Sequence, residues 1–455
     1  MQLREYQLED VAFLVSRDSA GIFNEQRTGK TPTVLTALIQ KGCKKNIVVA
    51  PASTLPQWKA EYERWTGEPC VILHGTPTKI QKTLTNWTHG AVVSYGTFKT
   101  TSKSKGLVDT ILAHTPDAIV VDEAHRMKDP GSAVAKAIHK CRNKIPVRYA
   151  LTGTPAPNKQ HEIFSILKFL MPERFNSYWK FVDEYFQQFQ QFGNGRTFTV
   201  IGNLKSSKQK EFIELLNECS IQRKRIEVMP WLPAKDYERV KLEPTKEQTK
   251  YLKELNSTFE TEHVITQGIL DRLIRLRQIC LAPELLELKG KSPKINYVID
   301  YLTDYPDRPT IIFSKFTSFL KLLAKELDKK KIDYGMIIGE TSIDIRRNFQ
   351  NRFQNGKLSV ILIQIDAGKE GLTLDRAETC IFCDKYPPAG DIQQAEDRFV
   401  ATTIDKKDKP HTIIELMMKD TYDETLYDLV LSRASDVDVI NNYKLYLKQG
   451  GKHND

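Results

Sequence analysis

Runs of β-branched residues recur along the chain at intervals that leave room for one helix between neighbours. In the first half they read NIVVAP (46–51), AVVSYG (91–96), AIVVDEAH (118–125) and RYALTGTP (148–155). In the second half they read PTIIFSKF (309–316), YGMIIGE (334–340), SVILIQ (359–364), TCIFCDK (379–385) and HTIIELM (411–417). Continuous apolar strands separated by amphipathic stretches belong to parallel sheets covered on both faces. Two such series predict an α/β protein of two domains. Residues 158–295 break the rhythm. EIFSILKFLMPERFNSYWKFVDEYFQQF (162–189) and the stretch from Thr245 to Leu281 have a helical period and predict helical insertions and a connection between the domains. Within them FGNGRTFTVIGN (192–203) combines Gly-Asn turn signals with a β-like run and predicts a small hairpin.

Composition narrows the class. A chain of 455 residues is too long for one core and suits two or three domains. The formal charge of +10 and pI near 9.0 favour a polyanionic partner. No apolar run is long enough to span a bilayer, and MQLREYQLED lacks a signal-peptide core, so a cytoplasmic protein is expected. Of seven cysteines only Cys380 and Cys383 have C-x-x-C spacing. With no second pair to complete a zinc site, they read as buried thiols of a core strand. The tail KQGGKHND reads as disordered.

Candidate chemistry lies at the strand ends. NEQRTGKT (24–31) follows the apolar AGIF and precedes the helix-like PTVLTALIQ, which is the phosphate-loop arrangement of strand, loop and helix. Thr28 and Gly29 would let the backbone approach phosphate. Lys30 would neutralise the β/γ-phosphates, and Thr31 would hold magnesium. Asn24 stands where the pattern has its first glycine. VVDEAH (120–125) ends a strand in two carboxylates at the sheet edge where ligands bind. Asp122 would hold magnesium, and Glu123 would orient and deprotonate the attacking water. In LTGTP (151–155), the hydroxyls of Thr152 and Thr154 are candidates, with His125, to couple ATP state to the rest of the domain. Gln7, in LREYQLEDVAFLV (3–15), is a candidate to read adenine through paired hydrogen bonds. Trp58 and Trp65 read as core rather than as base-stacking platforms.

Together these motifs resemble a SWI/SNF-type member of helicase superfamily two over about residues 1–435. LREYQ, GKT, VVAPASTLPQWKAEYERW, VVDEAHRMKDP and LTGTPAPN carry the resemblance in the first half. FLMPERFNSYWKFVDEYF resembles the family's helical protrusion, and IQRKRIEVMPWLPAK (221–235) its link to the second lobe. RLRQICLAPELL, SPKINYVIDYL, IIFSKFTSFLKLL, IIGETSIDIRRNFQNRFQ, AGKEGLTLDRA, CDKYPPA and QQAEDR continue it. The resemblance implies two RecA-like lobes with helical protrusions and ATP bound between them. It places lobe 1 at 1–235 with a protrusion near 158–220, a second protrusion or linker at 236–295, lobe 2 at 296–440, and a tail at 441–455.

It also implies residue roles. Gly371 joins the nucleotide-binding set. Thr54, Gln57, Lys59, Ser94, Tyr95, Ser314, Lys315, Gly368 and Lys369 would follow DNA phosphates, a mode that gives affinity without sequence readout. Lys59 reads equally well as a helix-face lysine, and TTSKSKG (100–106) as a phosphate contact or a plain loop. Gln394 and Arg398, in QQAEDRFVATT (393–403), would face the γ-phosphate. The family has a second arginine where this chain has Ala401, glycines where it has Arg27 and Lys369, and asparagine where it has Thr373. The expected function is a DNA-dependent ATPase that translocates on duplex or branched DNA in branch migration, fork reversal or restart. ATP and magnesium are its expected cofactors, and bacterial or phage recombination and replication proteins its expected partners. A DNA clamp with a weakened ATPase and a DNA-binding subunit of a restriction or defence complex are the alternatives.

Overall fold

The computed structural model describes residues 2–99, 107–157, 159–193, 196–231, 235–258, 260–261, 264–266, 268–368, 372, 374–386, 392, 395–396, 411–432, 439, 442–443 and 446–447. The chain divides into two units, Met1–Pro230 and Trp231–Asp455.

In the first unit the apolar runs form β1 (Ser19–Ile22), β2 (Asn46–Ala50), β3 (Cys70–Leu73), β4 (Gly90–Ser94), β5 (Ala118–Asp122) and β6 (Val147–Leu151). An antiparallel hairpin of β7 (Phe186–Gly193) and β8 (Arg196–Leu204) follows, then the short β9 (Ser220–Ile221). The main sheet has the order β3-β4-β2-β5-β6-β1-β9, with parallel pairing throughout. Every residue of β2 and β4 is buried, because the pleat sends alternate side chains into two cores. Ile47, Val49 and Val121 enter one core, and Val48, Ala50 and Val120 the other. The second core is closed by α1 (Glu5–Val15), α2 (Lys30–Gln40) and α3 (Leu55–Thr66), through Leu14, Leu35 and Trp58 among others.

The aromatic insertion forms short helices at Phe164–Leu170 and Tyr178–Tyr185. Its rings pack edge-on or tilted, with centroids 5.4 Å apart for Phe164–Phe181 and 5.5 Å for Tyr185–Phe212. The helical period ends earlier than the sequence implies. FQQFQQF (186–192) is strand β7, so the hairpin begins at Phe186 rather than 192. Phenylalanine every third residue mimics a helix, but only Phe186 is buried, and Phe189 and Phe192 are exposed on the hairpin.

The second unit contains β10 (Lys235–Leu242), a two-residue pair β11 (Glu260–Thr261) and β12 (Val264–Ile265), and then β13 (Thr310–Ser314), β14 (Gly335–Ile337), β15 (Val360–Gln364), β16 (Thr379–Phe382) and β17 (His411–Met418). The order β10-β17-β16-β13-β15-β14 is parallel throughout. Strand β10 lies in the stretch that reads as helical linker. KDYERVKL is polar at most positions because an edge strand exposes one side, and charges there block further pairing. Helices Lys246–Thr258 and Ile269–Leu281 share a core with Tyr422, Tyr443 and Tyr446. Cys380 and Cys383 are fully buried, and burial pushes both thiols far above their ordinary value. No helix among the described residues is long and apolar enough to cross a membrane.

Candidate active site

The phosphate loop leaves β1 at Phe23 and enters α2 at Lys30. Gly29 has φ +81°, and a Cβ there would lie 2.1 Å from Gln7 Nε2, so only glycine fits. Thr28 is buried, and its carbonyl accepts from Tyr6 Oη (2.8 Å) and Gln7 Nε2 (3.0 Å). Gln7 Oε1 accepts from the Arg4 amide at 2.8 Å. The amide expected to read adenine is therefore engaged at both ends, and in this structure Gln7 braces the loop. Lys30 Nζ donates to the carbonyls of Asn24 (2.9 Å) and Glu25 (3.1 Å). Thr31 is partly exposed on the first turn of α2. Arg27 holds φ +64°, the left-handed conformation that accounts for glycine in the family loop.

Strand β5 delivers Asp122 to the same sheet edge. Its Oδ2 accepts from Trp58 Nε1 (2.7 Å) and its Oδ1 from the Glu123 amide (3.0 Å). Burial, then the adjacent Glu123, pushes the Asp122 carboxyl well above the usual carboxylate range, while Trp58 and Lys30 oppose the shift. The influence of Lys30 places the two motifs within electrostatic reach of each other. Glu123 has φ +51°, and its buried Oε2 accepts no hydrogen bond among the described residues. His125 Nδ1 stands 3.4 Å from that oxygen and 3.0 Å from Thr152 Oγ1, which also accepts from the Thr154 amide at 3.1 Å. The expected coupling residues His125, Thr152 and Thr154 thus meet. The donor set fits a hard divalent cation: each Asp122 oxygen accepts one hydrogen bond among the described residues and keeps a further lone pair for a cation. Asp122 and Thr31 are the residues that would hold magnesium.

Two residues of this site escaped the sequence. Trp58 is core, as expected, at 3% exposure, but its indole also grips Asp122. Tyr95, expected on DNA, is buried beneath the D-E-A-H turn, where its hydroxyl donates to the carbonyls of Asp122 and Glu123 (3.2 Å to the latter). Only the bonds reveal these roles, since an aromatic on an apolar face looks the same either way.

The other expected DNA contacts divide. Gln57 is exposed, and Thr54 is partly buried with its hydroxyl donating to the Pro51 carbonyl at 3.0 Å. Lys59 pairs with Glu63 and donates to the Cys70 carbonyl at 2.6 Å, the helix-face alternative. Ser94 caps the following turn, accepting from the Thr97 amide at 3.1 Å. Ser314 is fully buried and donates to Asp384 Oδ1 at 2.5 Å, so its hydroxyl is closed to a phosphate. Lys315 pairs with Asp366 at 2.9 Å. Gly368 is buried, and a Cβ there would come 2.7 Å from Ile363 Cγ2. Lys369, Gly371, Gln394 and Arg398 lie outside the described residues, as do Thr373 and Ala401. Between the last two motif residues Glu396 is described: its carboxylate meets Lys385 (3.0 Å) and Lys235 (2.9 Å).

Residues 6–285 match the SNF2-related domain, and residues 293–400 match the helicase conserved C-terminal domain. The chain is 26% identical to human chromodomain-helicase-DNA-binding protein 7 over 94% of its own length and 15% of that protein. It is 25% identical to the mouse DNA annealing helicase and endonuclease ZRANB3 over 87% of its length and 37% of that protein. It is 26% identical to the probable ATP-dependent DNA helicase CHR12 of Arabidopsis thaliana, over 87% and 38%. The chain thus spans well under half the length of these relatives. Among solved structures, the Sulfolobus solfataricus SWI2/SNF2 ATPase core in complex with dsDNA aligns over 98% of this chain and 95% of that one, at 20% identity and a TM-score of 0.43.

Proposed function

The chain belongs to the SNF2-related family, with an ATPase core followed by a helicase C-terminal domain, and from that premise we propose that it hydrolyses ATP to translocate along duplex DNA and remodel branched DNA. The observation that carries this reading is the junction of Lys30, Asp122, Glu123, His125 and Thr152 at one sheet edge. Lys30 exchanges the Asn24 and Glu25 carbonyls for the β/γ-phosphates. Thr31 and Asp122 would hold magnesium, which when bound would neutralise phosphate charge. Glu123 takes the proton of the attacking water at the oxygen left without a hydrogen bond, and His125 passes the change to Thr152 and Thr154. By the family resemblance, Gln394 and Arg398 would meet the charge that develops on the γ-phosphoryl group, with Arg398 alone where the family has two arginines.

Branch migration, fork reversal or restart is the finer reading. It draws support from the similarity to ZRANB3, described as a DNA annealing helicase and endonuclease. Ala401 favours one alternative, a clamp with weakened turnover. Phosphate release measured with single-stranded, duplex, forked and four-way DNA, with strand products scored, separates them. Stimulation above tenfold by duplex or branched DNA is expected. Binding without stimulation on any substrate would favour the clamp.

A further inference from the structure

The phosphate loop is tied to a distant part of the chain. Strand β9 lies beside β1, and the pairing continues beyond both strands: the Phe23 amide donates to the Ile221 carbonyl (2.8 Å) and the Glu25 amide to the Arg223 carbonyl (3.0 Å). Glu25 Oε2 then accepts from the Arg225 amide at 2.7 Å. On the other side, Arg223 Nε reaches Asp10 Oδ1 (2.7 Å), and Asp10 Oδ2 accepts from Asn24 Nδ2 (2.6 Å). Asp10 is fully buried and Asn24 is 1% exposed. Arg223 also reaches Glu9 at 2.7 Å. Residues 223–225 lie just before the division between the two units at Pro230.

The same two loop residues carry the carbonyls that hold Lys30, and the Glu25 carbonyl accepts from Thr28 Oγ1 as well, at 2.8 Å. Every polar group of the Glu25 backbone and one carboxylate oxygen are thus committed, some to the phosphate-binding lysine and some to the connecting stretch. When Lys30 moves to phosphate, the two carbonyls lose a cationic donor. The Asn24 carbonyl lies in the same peptide plane as the Glu25 amide, which donates to the Arg223 carbonyl. A planar peptide cannot turn one end without turning the other.

Resting on the ATPase reading, we propose that Glu25 and Arg223 are positioning residues that carry the nucleotide state of the phosphate loop into the stretch joining the two units. Asn24, where a phosphate loop has its first glycine, anchors this strap to Asp10 through its side chain.

The test is backbone hydrogen exchange over residues 221–230, with and without a fluorescent non-hydrolysable ATP analogue whose affinity is measured in parallel. In the unmodified chain, nucleotide changes exchange there by about fivefold or more. Glu25→Ala, at a partly exposed position, loses the response when compared at analogue concentrations that saturate the site by its own measured affinity. Glu25→Gln keeps an acceptor for the Arg225 amide and retains the response. Arg223→Lys, which leaves Asp10 a cation but no fork, weakens it. A bound analogue with no response at 221–230 in the unmodified chain, or an unchanged response in Glu25→Ala, overturns the proposal alone. Failure of the unmodified chain to bind the analogue overturns the ATPase reading, and this one with it.

Discussion

The two units share a parallel α/β plan, but the first holds one pair of carboxylates in a way that the second does not. Among the described residues of the second unit each buried carboxylate has a cation: Asp384 has Arg277 (3.0 Å), Glu396 has Lys235 and Lys385, Glu415 has Lys385 (2.6 Å) and Arg239 (3.2 Å), Asp423 has Lys294 (2.6 Å), and Glu424 has Lys241 (2.6 Å). For Glu396, burial works against ionisation, yet Lys385 and Lys235 prevail and hold its carboxyl below the usual range. In the first unit Asp10 is paired in the same way with Arg223, but Asp122 and Glu123 sit side by side. Paired charges fix an arrangement of strands and helices. Two adjacent carboxylates, held without a lysine or arginine in salt-bridge contact among the described residues, destabilise the fold and are retained where chemistry needs them.

The largest effect should come from the unsatisfied oxygen itself. Glu123→Gln keeps shape and hydrogen-bonding capacity but cannot accept the water's proton. ATP turnover should fall by about 10²–10⁴ with nucleotide affinity preserved, as read by phosphate release and by binding of a fluorescent analogue. Normal turnover would remove Glu123 from the reaction and reduce the contrast between the units to an accident of packing.

Next comes a satisfied pair. Lys294 is fully buried, donating to Asp423 Oδ2 and, at 2.7 Å, to the Cys383 carbonyl. Lys294→Met keeps the volume and strands the Asp423 carboxylate, so it should destabilise the second unit by about 3–5 kcal/mol in urea denaturation. Adding Asp423→Asn should restore part of that loss. If Lys294→Met is silent, the pairs of the second unit are ornamental and the comparison fails from that side.

Much of this was legible in the residues, and the reasons differ by element. Buried strands such as VVD (120–122) and IIFS (311–314) announce themselves because parallel strands are apolar on both faces. The approach of Lys30 to Asp122 was legible because parallel strands deliver their C-terminal ends to one sheet edge. Strand β10 was hidden because an edge strand needs no apolar pattern, and β7 because its phenylalanine spacing imitates a helix. The bonds from Trp58 and Tyr95 to the D-E-A-H turn, and from Arg223 to Asp10, join residues 64, 27 and 213 positions apart, and no local pattern encodes such pairs.

A smaller effect has a distinctive pH dependence. The folded-state pKa of Asp122 is raised above its unfolded value, so the folded state binds the proton more tightly. Stability attributable to this group is therefore present at acid pH and falls as pH rises from about 4, the unfolded value, through the raised folded one. Asp122→Asn removes that loss and should raise stability by about 1–2 kcal/mol at pH 8 and by less at pH 5, while abolishing turnover. His139 provides the opposite slope in the same unit. Burial lowers its pKa to about 4, so its contribution is full above the ordinary histidine range and is lost as pH falls from about 6.5 toward that value. Thermal unfolding across pH 4–8 should show the Asp122→Asn gain only on the alkaline side. A gain independent of pH would mean that neither burial nor Glu123 raises the Asp122 pKa.

The smallest effect tests whether strain at this site extends to the backbone. Arg27 holds φ +64°, a conformation that costs a non-glycine residue about 1–2 kcal/mol. Glycine would relieve that cost but lose about 0.5–1 kcal/mol to unfolded-state entropy, and the guanidinium's own interactions would go with it. Arg27→Gly should therefore change stability by less than about 1 kcal/mol, whereas Arg27→Ala, which keeps the strain and loses the guanidinium, should be the less stable of the two. That ordering in urea denaturation would place Arg27 with Asp122 and Glu123, as a residue held at local cost in the proposed nucleotide site. The reverse ordering, with alanine above glycine, would mean that the loop carries no strain at this position and that the unsatisfied character of the first unit is confined to its two carboxylates.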